Sequence, residues 1–223
     1  MALIWPVRIL KSGGEWPVGP DHLDYDVLWR ETEGLNPDEA LGYFEKHLPY
    51  VCRDAYIATS TRPAVILQIR HGDFEYVFDH YTSLEASGAV PYSATEESRL
   101  VVACGRSAPR KRARDDYRLR GWVGPTERAF GGGWDKGHYI AHSLGGAVDG
   151  VEANVFVQRR DLNRGWSADG KRFRQIERYC FEHPGTSCFA RPIYLDGTSR
   201  PAWLEFGIVH PDSGPQVECF DNR

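Results

Sequence analysis

Apolar and polar positions alternate regularly only from residue 36 onward. Residues 1–35 hold no sustained period of 2 or 3.6 and are rich in Gly, Pro, Trp and Asp, which predicts mostly loop. Trp5, Trp16 and Trp29 predict that this segment packs onto the body of the protein. Asn36-Pro37-Asp38-Glu39 predicts a helix start: a capping asparagine, proline at the first helical position and glutamate at the third. Ala40, Leu41, Phe44 and Leu48 form its apolar face, and Pro49 predicts its end. Residues 64–69 and 74–81 alternate like strands about a tight turn at His71-Gly72-Asp73, and residues 98–104 make a third strand. Together these predict an antiparallel sheet.

The second half repeats the theme around a helix. Residues 134–141 read as a short strand, Gly145-Gly146 opens a loop, and residues 154–158 alternate like a second strand. Ser167 caps a helix over residues 168–181 with Phe173, Ile176, Tyr179 and Cys180 on one face, ended by Pro184-Gly185. Residues 189–195 and 202–209 flank Asp196-Gly197, a hairpin signal. Strands and helices in this order, without regular alternation, predict an α+β fold. There is no internal repeat and no low-complexity tract.

A chain of 223 residues, 41% apolar and 26% charged, can bury a core and has the make-up of a globular protein. No run approaches the ~20 apolar residues of a membrane span. The start lacks a basic stretch followed by a long apolar core and a cleavage site, so the expected location is cytoplasmic, with non-classical export left open. Five cysteines, at 52, 104, 180, 188 and 219, form no Cys-x-x-Cys, which argues against a zinc ribbon. Cys180 and Cys188 are spaced for a small disulfide, but the odd total favours reduced, mostly buried thiols.

The net charge of −4 conceals a split: residues 1–105 carry −8 and residues 106–223 carry +4. Residues 106–178 hold 16 basic against 9 acidic side chains, and a local basic surface is what attracts phosphate. Seven of the basic residues lie between Arg106 and Arg120, with Tyr117 and Trp122 beside them as candidate base-stacking groups.

The densest chemistry is the stretch Gly133-Trp-Asp-Lys-Gly-His138-Tyr-Ile-Ala-His-Ser-Leu-Gly-Gly, followed by Asn154, Gln158, Asn163 and, on the helix, Glu177. It supplies a base for water, a hard oxygen ligand and a carboxylate to hold a metal's waters, the groups a one-metal phosphodiesterase needs. Asp135-Lys136-Gly137-His138 with Asn154, and with Gln158 and Asn163 four and nine positions further on, resembles the DNA/RNA non-specific endonuclease family of ββα-metal (His-Me finger) nucleases, in its bacterial, toxin-like branch. The resemblance covers about residues 131–180.

It implies an α+β nuclease core within residues 51–223, with residues 1–50 a separate segment or part of the same domain. The acidic first ~95 residues are then either extra strands of one sheet, the preferred reading, or a regulatory or delivery segment. His138 matches the general base, which a neutral imidazole can serve near neutral pH. Asn163 matches the direct ligand of Mg²⁺, with Mn²⁺ as a substitute. Glu177 matches the glutamate that orients metal-bound water, though it lies farther from Asn163 than in shorter versions of the motif. Asn154 matches the asparagine that organises the site, Gln158 its supporting partner, and Asp135 braces the loop. Lys136 stands where the family has arginine, so it offers a point charge without the planar fork. Arg159 and Arg164 are the expected backbone contacts, and Arg99, Arg106 and Arg120 are alternatives for a separate phosphate clamp. His142, four positions after His138, is read as structural.

The implied activity is Mg²⁺-dependent cleavage of DNA, with RNA open, leaving 5′-phosphate ends and with little sequence preference. A catalytically inactive nucleic-acid-binding module is the alternative. In a toxin or anti-phage setting the chain would act as an effector nuclease and an inhibitor protein would be a partner. A homodimer is open.

Overall fold

The computed structural model describes residues 23–60, 63–80, 98–109, 131–147 and 152–223. Six strands form one antiparallel sheet: β1 (Ile66–His71), β2 (Phe74–Asp79), β3 (Arg99–Arg106), β6 (Ser187–Ile193), β7 (Trp203–His210) and β8 (Gly214–Asp221), lying side by side in that order. A separate antiparallel pair, β4 (Trp134–His138) and β5 (Val155–Arg159), lies between β3 and β6 in the chain. Among the described residues the α-helices are α1 (Tyr25–Arg30), α2 (Pro37–Thr59), the single turn α3 (Arg160–Asn163) and α4 (Ala168–Glu182). This is the expected α+β class, with β1 and β2 as strands of the common sheet and residue 50 inside α2.

Each face of the sheet packs a different layer. On one side Leu41, Phe44, Leu48 and Cys52 of α2, with Tyr25 and Leu28 of α1, meet Val77, Val102, Cys104 and Phe189. On the other, Tyr76, Ala103, Leu204 and Phe206 meet Ile140, Phe156 of β5, Leu162 of α3 and Phe173, Ile176 and Cys180 of α4. Burial of such side chains, about 1.5–3 kcal/mol each, holds both layers to the sheet.

α2 starts as its sequence predicts, in a capping box: Glu39 N–H donates to Asn36 Oδ1 at 3.0 Å and Asn36 N–H to Glu39 Oε2 at 3.2 Å. It does not stop at Pro49 but continues to Thr59 with Pro49 buried inside it. An interior proline costs about 3 kcal/mol. The apolar stripe that continues from Leu48 to Cys52 against the sheet offsets that cost. α1 departs from the mostly loop expectation within residues 23–35, the part of that segment that lies among the described residues. Asp24 caps it by accepting from Asp26 N–H at 3.0 Å, and six residues are too few for a period to register. Trp29 packs edge-on against Phe44, while Trp5 and Trp16 lie outside the described residues.

β6 and β7 form the expected hairpin around Asp196-Gly197, with the loop running over residues 194–202 because β6 ends at Ile193 and β7 begins at Trp203. Within that loop Asp196 closes a local turn, accepting from Thr198 N–H at 2.9 Å and Thr198 Oγ1–H at 2.6 Å. β8 had no sequence signal; most of its side chains are only half-buried and it lacks a clean alternation. All five cysteines are free thiols, four of them buried. Burial pushes the Cys52 thiol up to about 12. No helix among the described residues is long and apolar enough to cross a membrane.

Candidate functional site

The site residues gather around the β4–β5 pair and the two helices that follow it. Register sets Trp134 opposite Arg159, Asp135 opposite Gln158, Gly137 opposite Phe156 and His138 opposite Val155. Side chains alternate along a strand, so Lys136 and His138 project to one side of β4 and Asp135 to the other. Gln158 crosses Gly137 so closely that a Cβ there would lie 2.2 Å from its Oε1 and 2.7 Å from its Cβ. That contact explains the glycine of Lys136-Gly137-His138.

His138 ends β4 and is only 8% exposed. The chain leaving it is fastened by Asn154, which is fully buried. Asn154 Oδ1 accepts from Ile140 N–H at 2.9 Å, and its Nδ2 donates to Ile140 O at 3.0 Å and Ala147 O at 2.7 Å. Tyr139 N–H also donates to the Asn154 carbonyl at 3.1 Å. Asn154 therefore ties both strand ends and the following loop together. His142 sits on a short 3-10 turn, His142–Leu144, within that loop.

Asp135 is the hub at the other end of the pair. It accepts from Arg164 Nε at 2.7 Å and a second Arg164 nitrogen at 3.0 Å, from Arg160 Nε at 3.1 Å and from Asn163 Nδ2 at 3.2 Å. Burial raises the Asp135 carboxyl, but these donors, Arg164 foremost, bring it below the ordinary carboxylate range. Four donor nitrogens thus tie this carboxylate to Arg160 and Asn163 of α3 and to Arg164 just beyond it. Because the Asn163 nitrogen faces the carboxylate, its carbonyl oxygen is turned away from it. A half-buried neutral amide oxygen so placed fits a hard divalent cation.

α4 follows α3 across the short turn 164–167. Ser167 caps it by accepting from Gly170 N–H at 2.9 Å, and a Cβ at Gly170 would fall 2.4 Å from Asp161 O and 2.9 Å from Leu162 O. Only glycine allows that approach. Two turns on, Glu177 lies 8% exposed among Phe173, Ile176 and Cys180, with Arg174 donating to its Oε2 at 3.0 Å.

The expected substrate-contacting cations have protein partners of their own. Arg159 forms a two-bond fork with Asp161, both bonds 2.7 Å, and Arg164 forms its fork with Asp135. Burial lowers the pKa of Lys136. Arg106 pairs with Glu45 at 2.8 Å. Arg99 donates to Asp196 O and lies over the Tyr194 ring, on the face of the sheet that carries α2. Arg120, Tyr117 and Trp122, and most of the basic run, lie outside the described residues.

Two supports had no sequence signal. Asn222, fully buried next to the last position, accepts from Arg159 N–H at 2.8 Å and donates to Val157 O at 3.0 Å and Pro201 O at 2.8 Å. Tyr76 Oη accepts from Ala147 N–H at 3.0 Å, joining the loop after His138 to the main sheet. Among the described residues no group of three or more His, Cys, Asp or Glu side chains is placed to hold a metal ion. No protein-family model matches the chain, and no curated protein sequence matches it.

Proposed function

We propose that the chain is a Mg²⁺-dependent endonuclease that hydrolyses phosphodiester bonds of nucleic acid, DNA foremost, with little sequence preference. The observation that carries this reading is the contact between Asn163 and Asp135. It fastens the residue in the metal-ligand position to the strand that ends in the histidine at the base position. The order β4, β5, α3, α4, with the Glu177 carboxylate on α4, supports a ββα-metal core.

In this reading His138 takes the proton from the attacking water, and its burial keeps the imidazole out of bulk solvent. Lys136, on the same side of β4, offsets phosphate charge as a point cation. Asn163 would hold the cation through its free oxygen, with Mn²⁺ as a substitute for Mg²⁺, and Glu177 would orient a water beside it. When bound, the ion stabilises negative charge building on the phosphate and the departing oxygen. Asn154 and Gln158 position the strand ends. Arg159 and Arg164 keep 26% and 45% of their side chains exposed despite their ion pairs, which leaves them accessible to a substrate backbone.

The test is a digest of supercoiled plasmid and of its heat-denatured form, with Mg²⁺ and with EDTA. Conversion to nicked, linear and fragmented DNA only with Mg²⁺ is the expected result. Retarded but intact DNA in both conditions would replace the nuclease with a binding module.

A further inference from the structure

Resting on that nuclease reading, we infer that Trp166 and Arg164 form a stacking platform for an unpaired nucleobase, so that single-stranded polynucleotide is the preferred substrate class. Trp166 is 63% exposed, whereas Trp29, Trp134 and Trp203 are buried or half-buried. A lone exposed apolar side chain means little by itself. This one is held in place from behind.

The Arg164 guanidinium lies over the indole at 5.1 Å from the ring centroid. That guanidinium is in turn fixed by its two bonds to Asp135, at 2.7 and 3.0 Å. The backbone is fixed as well. Gly165 takes a φ of +71°, Trp166 N–H donates to Asp161 O at 2.8 Å, and Ser167 next to it caps α4. The indole is thus preorganised by a chain running from Asp135 through Arg164, with one face backed by a cation and much of its surface open to solvent.

Its place in the chain supplies the ligand. Trp166 is three residues beyond Asn163, in the turn joining α3 to α4. A polynucleotide with a phosphate at Asn163 would bring a neighbouring base within reach of the ring. Stacking on an aromatic side chain needs a base with a free face and takes any base identity. Bases inside a duplex have both faces covered by their neighbours, so the platform selects unpaired segments. Single-stranded DNA and RNA present the same face, and the test separates them.

Labelled single-stranded DNA, single-stranded RNA and duplex DNA of about 12 nucleotides would be titrated by fluorescence anisotropy in EDTA. Wild type, Trp166→Ala and Trp166→Phe would be compared, with melting curves to show that each is folded. Wild type should bind single strands about tenfold more tightly than duplex, Trp166→Ala should lose about that factor, and Trp166→Phe should recover most of it. Loss on only one of the two single strands supports the platform and assigns its sugar preference. Equal affinity of wild type and Trp166→Ala for both single strands overturns it. Mg²⁺-dependent digestion by wild type, run alongside, separates the two ideas. Digestion without a Trp166-dependent preference ends the platform alone, whereas neither digestion nor binding ends the nuclease reading and the platform with it.

Discussion

The side chains of Asn163 and Asp135, 28 positions apart in the chain, meet at 3.2 Å with the amide nitrogen as donor and the carboxylate as acceptor. The contact sets which way the amide faces, and with it where a cation would sit. Asn163→Ala is expected to raise the Mg²⁺ concentration needed for half-maximal cleavage by about tenfold. The stability loss should be only about 1 kcal/mol, the worth of one partly exposed hydrogen bond. A Mg²⁺ titration of cleavage and a melting curve measure both. An unchanged Mg²⁺ requirement would remove Asn163 from the metal-ligand role.

The acid limb of the stability curve should report on Asp135. Its folded pKa is depressed, so its contribution is fully present above the unfolded value of about 3.9 and is lost as pH falls through the folded value. Asp161, held down chiefly by the Arg159 hydrogen bonds, acts in the same direction. Asp135→Asn should lower stability near neutral pH by about 1–2 kcal/mol and flatten the fall in acid. Denaturant unfolding at a series of pH values checks this, and parallel curves for the two proteins would contradict it.

Much of the fold was legible because its signals are local. The Asn36 to Glu39 cap and the turn at Gly72 depend on neighbours in sequence, and both formed where expected. The end of α2 did not, because packing of the stripe from Leu48 to Cys52 against the sheet outweighed the local stop at Pro49. In the candidate site, the order of His138, Asn154, Gln158, Asn163 and Glu177 was legible. Asn222 and Tyr76 were not, since each acts through a contact far away in sequence. Nor did sequence reveal that Arg159 and Arg164 already hold carboxylate partners.

Gly137 and Gln158 should behave as a coupled pair. Gly137→Ala drives a methyl group into the Gln158 side chain, which cannot withdraw at its Cβ, and should cost about 1–3 kcal/mol. Gln158→Ala leaves a gap of its own, and its removal should relieve part of the Gly137→Ala penalty. A double-mutant cycle by chemical denaturation should give an interaction energy of about 0.5–3 kcal/mol. Strict additivity would show that the two side chains do not meet.

Asn154 should be the most costly of the site residues to truncate. Alanine there leaves the Ile140 N–H and the Ile140 and Ala147 carbonyls without their partner in a buried setting, at about 3 kcal/mol in total. For a chain of this size that lowers Tm by roughly 6–12 °C. A shift below about 2 °C in a thermal melt would show that the loop after His138 has other fastenings.

The most direct measurement of the central claim compares wild type with His138→Ala in single-turnover cleavage of DNA in Mg²⁺. Far-UV circular dichroism and DNA binding in EDTA are followed alongside. The account predicts that cleavage falls about 10²–10⁴-fold, the worth of a positioned general base, with folding and binding close to wild type. Cleavage by the folded variant at the wild-type rate would contradict it.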